Sequence, residues 1–298
     1  MPDAIATEDL TKDYGGGKGL FDLHLAVREG EVFGYLGPNG AGKTTTIRLL
    51  MSLIRPTRGR ASVFGLDAIA RSVDVKRVIG YLPGELAQFG GLRGDEVVAS
   101  LAALRPGVER ARVRELAERL QLDLGRRYRE YSRGNKQKVA LVAALQHRPD
   151  LLILDEPTSG LDPLNQQEFY RIVRETRDGG ATVFLSSHIL SEVEAVCDRV
   201  GILRAGRLAK VAELDELNEL RLQKVEVEFA GQPPLAALRA VANVAELTVD
   251  GQVVRCVVRG DVDAFLRAAG GAHVVRLLSD EPSLEEAFLA YYRDGAAG

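Results

Sequence analysis

Residues 31–50 read EVFGYLGPNGAGKTTTIRLL, an apolar run followed by a glycine-rich turn and a helical pattern. Within this stretch, residues 37–44 have the spacing of glycines, lysine and threonine that cradles nucleotide phosphates. Glycine lets the backbone approach a phosphate closely, and the amides at a helix start attract negative charge. The stretch therefore predicts an α/β fold with a phosphate site between a strand and the helix that follows it.

Each position of this phosphate loop has a predicted role. We expect the Lys43 ammonium to reach the β- and γ-phosphates and the Thr44 hydroxyl to bind Mg²⁺. The remaining loop positions are expected to surround the phosphates, and they are Gly37, Asn39, Gly40, Ala41, Gly42 and Thr45.

Two acids follow a second strand pattern, because residues 151–157 read LLILDEP. Ligands of parallel sheets lie beyond the carboxyl ends of the strands, so Asp155 is placed to bind Mg²⁺ directly or through water. Glu156 is placed to polarise an attacking water, as a general base or as an orienting group. A strand that simply leaves the core would show the same letters. Together with the phosphate loop, however, the two acids predict a nucleotide hydrolase or a kinase.

The composition narrows the class of protein. The chain has 298 residues, which exceeds the usual size of one domain, and its net charge of -3 argues against a dedicated nucleic-acid binder. Cys197 and Cys256 lack metal-ligand spacing and are expected to be buried, reduced thiols. No signal-peptide pattern and no apolar run of about 18 to 20 residues is evident, so we expect a soluble protein.

The chain changes pattern several times along its length. Residues 3–36 alternate as short β-strands, and residues 94–148 form a helical insert. Apolar runs then alternate with helical segments, as in a parallel sheet flanked by helices. From about residue 224, the order β-α-β-β-α-β with a final helix within residues 282–292 suggests a small ferredoxin-like module.

Residues 131–139 read YSRGNKQKV and resemble a second anion-binding helix start. Ser132 can cap the helix that follows, while Gly134 exposes a backbone amide. An ordinary capped surface helix would show the same pattern. A chain with one complete phosphate cradle and one incomplete cradle nevertheless suggests a dimer in which each chain completes the site of the other.

At this point the sequence resembles the ATP-binding subunits of ABC transporters. In that family a signature motif lies just before the Asp-Glu strand, as YSRGNKQKV does here. Residues 159–162, SGLD, resemble the D-loop, and His188 in LSSH resembles the switch histidine that contacts the γ-phosphate. Tyr14 lies where the family stacks an aromatic ring on adenine. The ordered set of motifs covers about residues 5–210.

The resemblance implies a domain organisation. Residues 1–222 would form an ABC ATPase domain, with a RecA-like core, an antiparallel β subdomain and a helical subdomain at about residues 86–148. Residues 223–298 would form a C-terminal accessory α+β domain of the ferredoxin-like type.

It also implies how two chains share ATP. Two such domains would bind two ATP molecules head to tail, each with Mg²⁺. Lys43, Thr44, Asp155, Glu156 and His188 of one chain would face Ser132 and Gly134 of the other chain. Ser159 and Asp162 would communicate across the interface.

Two motifs depart from the family pattern. The usual signature is Leu-Ser-Gly-Gly-Gln, whereas Tyr131, Arg133 and Asn135 stand here; the first two look like a variant found in ATPases of bacterial drug and antibiotic exporters. Residues 79–85, IGYLPGE, resemble the Q-loop, but Gly84 occupies the position of the Mg²⁺-sensing glutamine. Glu85 is adjacent and is a candidate to replace it through water.

The resemblance implies the ATPase subunit of a bacterial drug or antibiotic exporter. Such a chain would form a homodimer, drive a separate membrane permease from the cytoplasmic face of the membrane, and bind no nucleic acid. Two alternatives remain open: a soluble ABC ATPase without a transport role, and the ATPase of an importer with a regulatory C-terminal domain.

Overall fold

The computed structural model describes residues 2–105, 107–214 and 222–280 of the chain. They belong to two compact units that divide between Val211 and Ala212, whereas the sequence analysis places the boundary between residues 222 and 223. The predicted final helix within residues 282–292 lies outside the described residues.

The first unit contains two sheets. Its strands are β1 (Asp3–Asp13), β2 (Gly19–Arg28), β3 (Val32–Leu36), β4 (Arg58–Val63), β5 (Leu66–Asp67), β6 (Ile79–Leu82), β7 (Leu151–Asp155), β8 (Thr182–Ser187), β9 (Arg199–Arg204) and β10 (Arg207–Glu213). One sheet has the order β2-β1-β4-β5 and pairs its strands antiparallel. The other has the order β10-β9-β3-β8-β7-β6, with parallel pairing from β9 through β6.

Parallel pairing explains the apolar runs in the sequence. Every residue of β3, β7 and β8 is buried, because neighbouring strands and covering elements leave neither face of the sheet open to water. The carboxyl ends of β3 and β7 reach the same edge of this sheet, on either side of β8. This edge therefore collects the loops that carry the predicted phosphate-binding and acidic residues.

Helices connect and cover the strands of this unit. They are α1 (Lys43–Leu50), α2 (Ser72–Val78), α3 (Gly94–Ala102), α4 (Arg110–Arg119), α5 (Arg133–Leu145), α6 (Pro163–Asp178) and α7 (Leu190–Val196). The predicted helical insert corresponds to α3, α4 and α5. Within the described ranges, no helix combines the length and the apolar character needed to cross a lipid bilayer.

The main hydrophobic core joins the two sheets through α1. It includes Leu10 of β1, Ile47 and Leu50 of α1, and Phe33 and Phe184 of the parallel sheet, all of them buried. The rings of Phe33 and Phe184 stack with their centroids 6.0 Å apart. Because burying each such side chain contributes about 1.5–3 kcal/mol, the core fixes the strand and the helix that flank the phosphate loop.

In the second unit, residues 222–280 form a four-stranded antiparallel sheet with two helices. Its elements are β11 (Leu222–Phe229), α8 (Leu235–Arg239), β12 (Val244–Asp250), β13 (Val253–Arg259), α9 (Asp263–Ala269) and β14 (Val274–Asp280). The sheet order is β12-β13-β11-β14. Leu238 of α8 and Phe265 of α9 pack on Val227 and Val254 in one core, so both helices cover the same face. The described elements follow the predicted order β-α-β-β-α-β.

Both cysteines are buried free thiols, as predicted. Burial raises the pKa of the Cys256 thiol to about 11, and burial also raises the pKa of Cys197. Such thiols are poor nucleophiles near neutral pH, so neither cysteine is a candidate for catalysis.

Candidate functional site

The phosphate loop connects β3 to α1 and opens onto a cavity of about 480 Å³. Residues 39–45 line this cavity together with Tyr14 and Glu156. Gly37 does not line it, and its amide donates a 3.2 Å hydrogen bond to the Ser187 carbonyl of β8. Gly42 has a φ of +111°, a backbone conformation that is strained for a residue with a side chain. The loop thus adopts the open, backbone-lined form that suits phosphate groups.

Lys43 is the buried cation of this loop, with only 6% of its surface exposed. Its Nζ donates to the carbonyl oxygens of Gly37 at 2.5 Å and Pro38 at 3.3 Å. Nζ also lies 3.2 Å from Oε1 of Glu156. A buried ammonium requires partners of this kind, and these hold it at the centre of the loop.

Thr44 and Asp155 meet at the edge of the parallel sheet. The Thr44 hydroxyl donates to Oδ2 of Asp155 at 2.9 Å, and the Ser186 hydroxyl donates to Oδ1 at 2.6 Å. Asp155 is 1% exposed. A hydroxyl and a carboxylate are the hard oxygen donors that Mg²⁺ prefers, so these two residues suit the ion predicted from the sequence.

Glu156 connects the cavity to His188. Its Oε2 lies 2.7 Å from Nδ1 of His188, while its amide donates to the carbonyl and the hydroxyl of Ser186, each at 3.2 Å. Glu156 has a φ of +51°, a strained conformation that persists only where the surroundings fix it. The carboxylate is partly exposed, so it can reach a water molecule as well as its two protein partners.

Tyr14 presents an aromatic ring at the cavity. The ring is 54% exposed and has the Lys12 ammonium 5.5 Å from its centroid. Lys18, which the sequence analysis did not single out, lines the cavity beside it. An exposed ring next to cationic side chains is suited to stacking with a nucleobase.

The signature residues lie apart from this cavity. Ser132 caps α5, with its hydroxyl accepting from the Asn135 amide at 3.3 Å, and neither Ser132 nor Gly134 lines the cavity. A β-carbon at Gly134 would collide with the carbonyl oxygen of Gly160. Within one chain, therefore, the helix start that is predicted to bind an anion does not join the phosphate loop.

The D-loop packs against the signature motif of the same chain. The Arg133 guanidinium donates to the Ser159 hydroxyl at 2.8 Å, so Arg133 links the two motifs. Asp162 caps α6 by accepting from the Asn165 amide at 3.0 Å. Hydrogen bonds from the Asn165 backbone and side chain hold the pKa of Asp162 below its usual value.

The Q-loop glycine touches the acidic strand end. A β-carbon at Gly84 would lie 3.1 Å from Oδ2 of Asp155, which is tighter than ordinary van der Waals contact. Glu85 is 94% exposed at its side chain, lies 3.8 Å from Arg48, and does not line the cavity. The structure thus brings residue 84, but not the Glu85 side chain, to the predicted Mg²⁺ ligands.

Three buried polar residues that the sequence analysis missed support the site. Ser186 binds Asp155 and Glu156, as described above. Gln137 of α5 donates to the carbonyl oxygens of Glu156 at 3.3 Å and Pro157 at 2.9 Å. Glu192 of α7 accepts hydrogen bonds from the hydroxyls of Thr158 and Ser187, which lie close in sequence to Glu156 and His188. In the sequence, each of these residues is visible only as a polar residue among apolar ones. That pattern does not indicate which group the polar side chain will contact.

Comparisons with known proteins agree with this geometry. The profile of the family described as ABC transporter matches residues 20–159. The chain is 33% identical to the bacitracin transport ATP-binding protein of Bacillus licheniformis over 309 residues, which cover 100% of each chain. It is 37% identical to a daunorubicin resistance ATP-binding protein of Streptomyces coeruleorubidus over 303 residues, covering 96% of this chain and 95% of the relative.

A solved structure shows that the fold is also similar to that of this family. An ATP-binding subunit of an ABC transporter superimposes with a TM-score of 0.66 and 32% identity. The superposition covers 72% of this chain and 92% of the other.

Proposed function

The chain belongs to the ATP-binding proteins of ABC transporters, and from this premise we propose that it powers the export of antibiotics or similar small amphipathic compounds. ATP binding and hydrolysis are the activity of this family. One observation carries the narrower proposal: the similarity to the bacitracin and daunorubicin relatives extends over nearly the whole chain, including the second unit.

The geometry supports a specific course for ATP hydrolysis. The loop amides and Lys43 bind the phosphates, and Tyr14 stacks on the adenine. Thr44 and Asp155 would hold Mg²⁺, and the ion would supply positive charge against the nucleotide phosphates. Glu156 orients a water molecule and accepts its proton as the new O–P bond forms and the bond between the γ-phosphorus and the leaving ADP oxygen breaks. His188 fixes Glu156 and contacts the γ-phosphate.

The signature surface supports a shared site. Ser132 and Gly134 lie at the N-terminus of the 13-residue helix α5, outside the cavity that holds Lys43. Such a helix start binds anions. We propose that it completes the ATP site of a second, identical chain, with Ser159 and Asp162 at the interface between the chains.

The proposal includes a membrane partner. A separate integral membrane permease would bind the dimer at the cytoplasmic face and would select the transported compound. The γ-phosphate provides contacts that favour the closed dimer, so hydrolysis would reopen it and move the permease.

Purification from detergent-solubilised membranes tests this function. We expect a polytopic membrane protein to co-purify with the chain and, in reconstituted vesicles, ATP-dependent export that Glu156→Gln abolishes. A fully active soluble complex with no membrane protein would instead favour the non-transport alternative. Nucleotide-dependent uptake into the cell would favour the importer alternative.

A further inference from the structure

Glu192 of α7 is a buried acid that the proposed mechanism does not use. Its side chain accepts a 2.6 Å hydrogen bond from the Ser187 hydroxyl at one oxygen and a hydrogen bond from the Thr158 hydroxyl at the other. Glu192 is 5% exposed, Thr158 is 4% exposed and Ser187 is fully buried. Among the described residues, no lysine, arginine or histidine forms an ion pair with Glu192.

A buried carboxylate without a cation is costly, and two hydroxyl donors only partly offset that cost. An apolar residue at position 192, with apolar partners, would fill the same space at lower cost. The presence of the acid therefore calls for a role beyond packing.

The two hydroxyl donors lie next to the proposed catalytic groups: Thr158 is in the loop after β7, and Ser187 ends β8 at the start of the loop of His188. Thr158 lies two residues after Glu156 and directly before the D-loop residue Ser159, while Ser187 directly precedes His188. On the cavity side, Glu156 and His188 contact each other at 2.7 Å. On the core side, Glu192 joins the same two loops. A relative shift of the loops by about 1 Å would break the contact on the cavity side.

We propose that Glu192 is a positioning residue that fixes the loop of Glu156 against the loop of His188. It touches no substrate atom and acts through Thr158 and Ser187. This inference rests on the roles proposed above for Glu156 and His188.

Steady-state kinetics with ATP and Mg²⁺ test the role. We expect Glu192→Ala to lower kcat on the order of 10- to 100-fold, as misplacement of a catalytic group by about 1 Å does. Binding of a fluorescent ATP analogue should change little, since the phosphate loop is not involved. Thr158→Val, which keeps the side-chain shape and removes the hydroxyl, should lower kcat in the same direction. Glu192→Gln keeps the volume and one acceptor and should retain more activity than Glu192→Ala.

Glu194→Gln is the matched control. Residue 194 lies on the same helix two positions further on, so its side chain points away from that of residue 192. The same change of charge there should leave kcat near the wild-type value. If Glu194→Gln lowers kcat as much as Glu192→Gln does, the loss comes from a general disturbance of α7 and the proposal is wrong.

A double-mutant cycle separates positioning from general support of the fold. In a His188→Ala background, Glu192→Ala should cost little further activity, because the contact that it positions is already gone. Independent, multiplicative losses would overturn the proposal. If Glu192→Ala does not fold, the same cycle is run with Thr158→Val.

Glu156→Gln is measured in parallel to keep two failures apart. Normal hydrolysis by Glu156→Gln would contradict the proposed catalytic site itself. An inactive Glu156→Gln together with a fully active Glu192→Ala would overturn only the role of Glu192.

Discussion

Nδ1 of His188 lies 2.7 Å from Oε2 of Glu156, while Nζ of Lys43 lies 3.2 Å from the other carboxylate oxygen, Oε1. The contact joins the ends of β7 and β8, which are neighbours in the parallel sheet. It places a potential proton acceptor beside the phosphate loop and fixes the orientation of that acceptor.

Glu156→Gln should keep ATP binding and lose most turnover. The amide preserves the shape but is a poor proton acceptor, so a loss of about 10²- to 10⁴-fold in kcat is expected. Size-exclusion chromatography with ATP should show the dimer accumulating. Glu118→Gln, an exposed acid on α4, serves as the control. Turnover near wild type would refute the assignment of Glu156.

Ser132→Arg should impair hydrolysis while leaving the ATP affinity of the monomer unchanged. The bulky cation would block the helix start that is proposed to reach the nucleotide of the partner chain. Ser132→Ala separates capping from this role, because loss of the cap costs only about 1 kcal/mol of stability. An equal loss of monomer affinity in Ser132→Arg would argue against a shared site.

Gly134→Ala should disrupt the packing of the signature motif on the D-loop. The added β-carbon would meet the Gly160 carbonyl, a backbone atom that cannot move alone. We expect a loss of about 1–3 kcal/mol in unfolding free energy, measured with urea. At Gly91 a β-carbon would meet nothing within 4 Å, so Gly91→Ala should be close to neutral. Equal stabilities of the two variants would contradict the observed packing.

Gly84→Ala should raise the Mg²⁺ concentration needed for half-maximal ATPase activity. The new methyl group would press on Oδ2 of Asp155 and disturb its contact with Thr44. A shift of up to about tenfold is expected for a change behind a metal ligand. An unchanged Mg²⁺ titration would show that Asp155 tolerates the contact or does not bind the ion.

His147 should make the stability of the protein depend on pH in the acid range. Burial and the nearby Arg105 charge lower its pKa from 6.5 to about 4. Its buried Nδ1 has no hydrogen-bond partner, so protonation would add an unpaired donor. The unfolded chain binds the proton more readily. The unfolding free energy should therefore be fully retained above pH 6.5 and fall as the pH decreases toward 4.

Urea midpoints at pH 7 and pH 5 test this effect. His147→Gln should show a smaller difference between the two midpoints than the wild type does. An identical difference would assign the acid sensitivity to other groups.

Sequence patterns predicted the elements whose chemistry is local. The phosphate loop, the acidic strand end and the capped helix are each recognised from a few neighbouring residues. Lys43, Asp155 and Ser132 could therefore be predicted from the sequence. The order of elements in the second unit also followed from alternation and turn residues.

Contacts between distant segments could not be predicted in this way. Arg133 meets Ser159 across 26 positions of sequence, and Gln137 meets the backbone of Glu156 across 19. Such pairs depend on how α5 packs against the sheet. The left-handed conformation of Glu156 could not be predicted either, because glutamate rarely adopts it and no neighbouring residue type indicates it.

The ion pair between Lys43 and Glu156 gives the lysine an anionic partner inside the phosphate loop. An arriving triphosphate brings anionic oxygens into the loop and becomes the stronger counterion of the lysine. Under the proposed mechanism, Lys43 would then exchange Glu156 for the phosphate oxygens once a γ-phosphate is in place. Binding of ATP would thereby free Oε1 of Glu156 from its ion pair, in addition to the exposed part of the carboxylate, for contact with the attacking water.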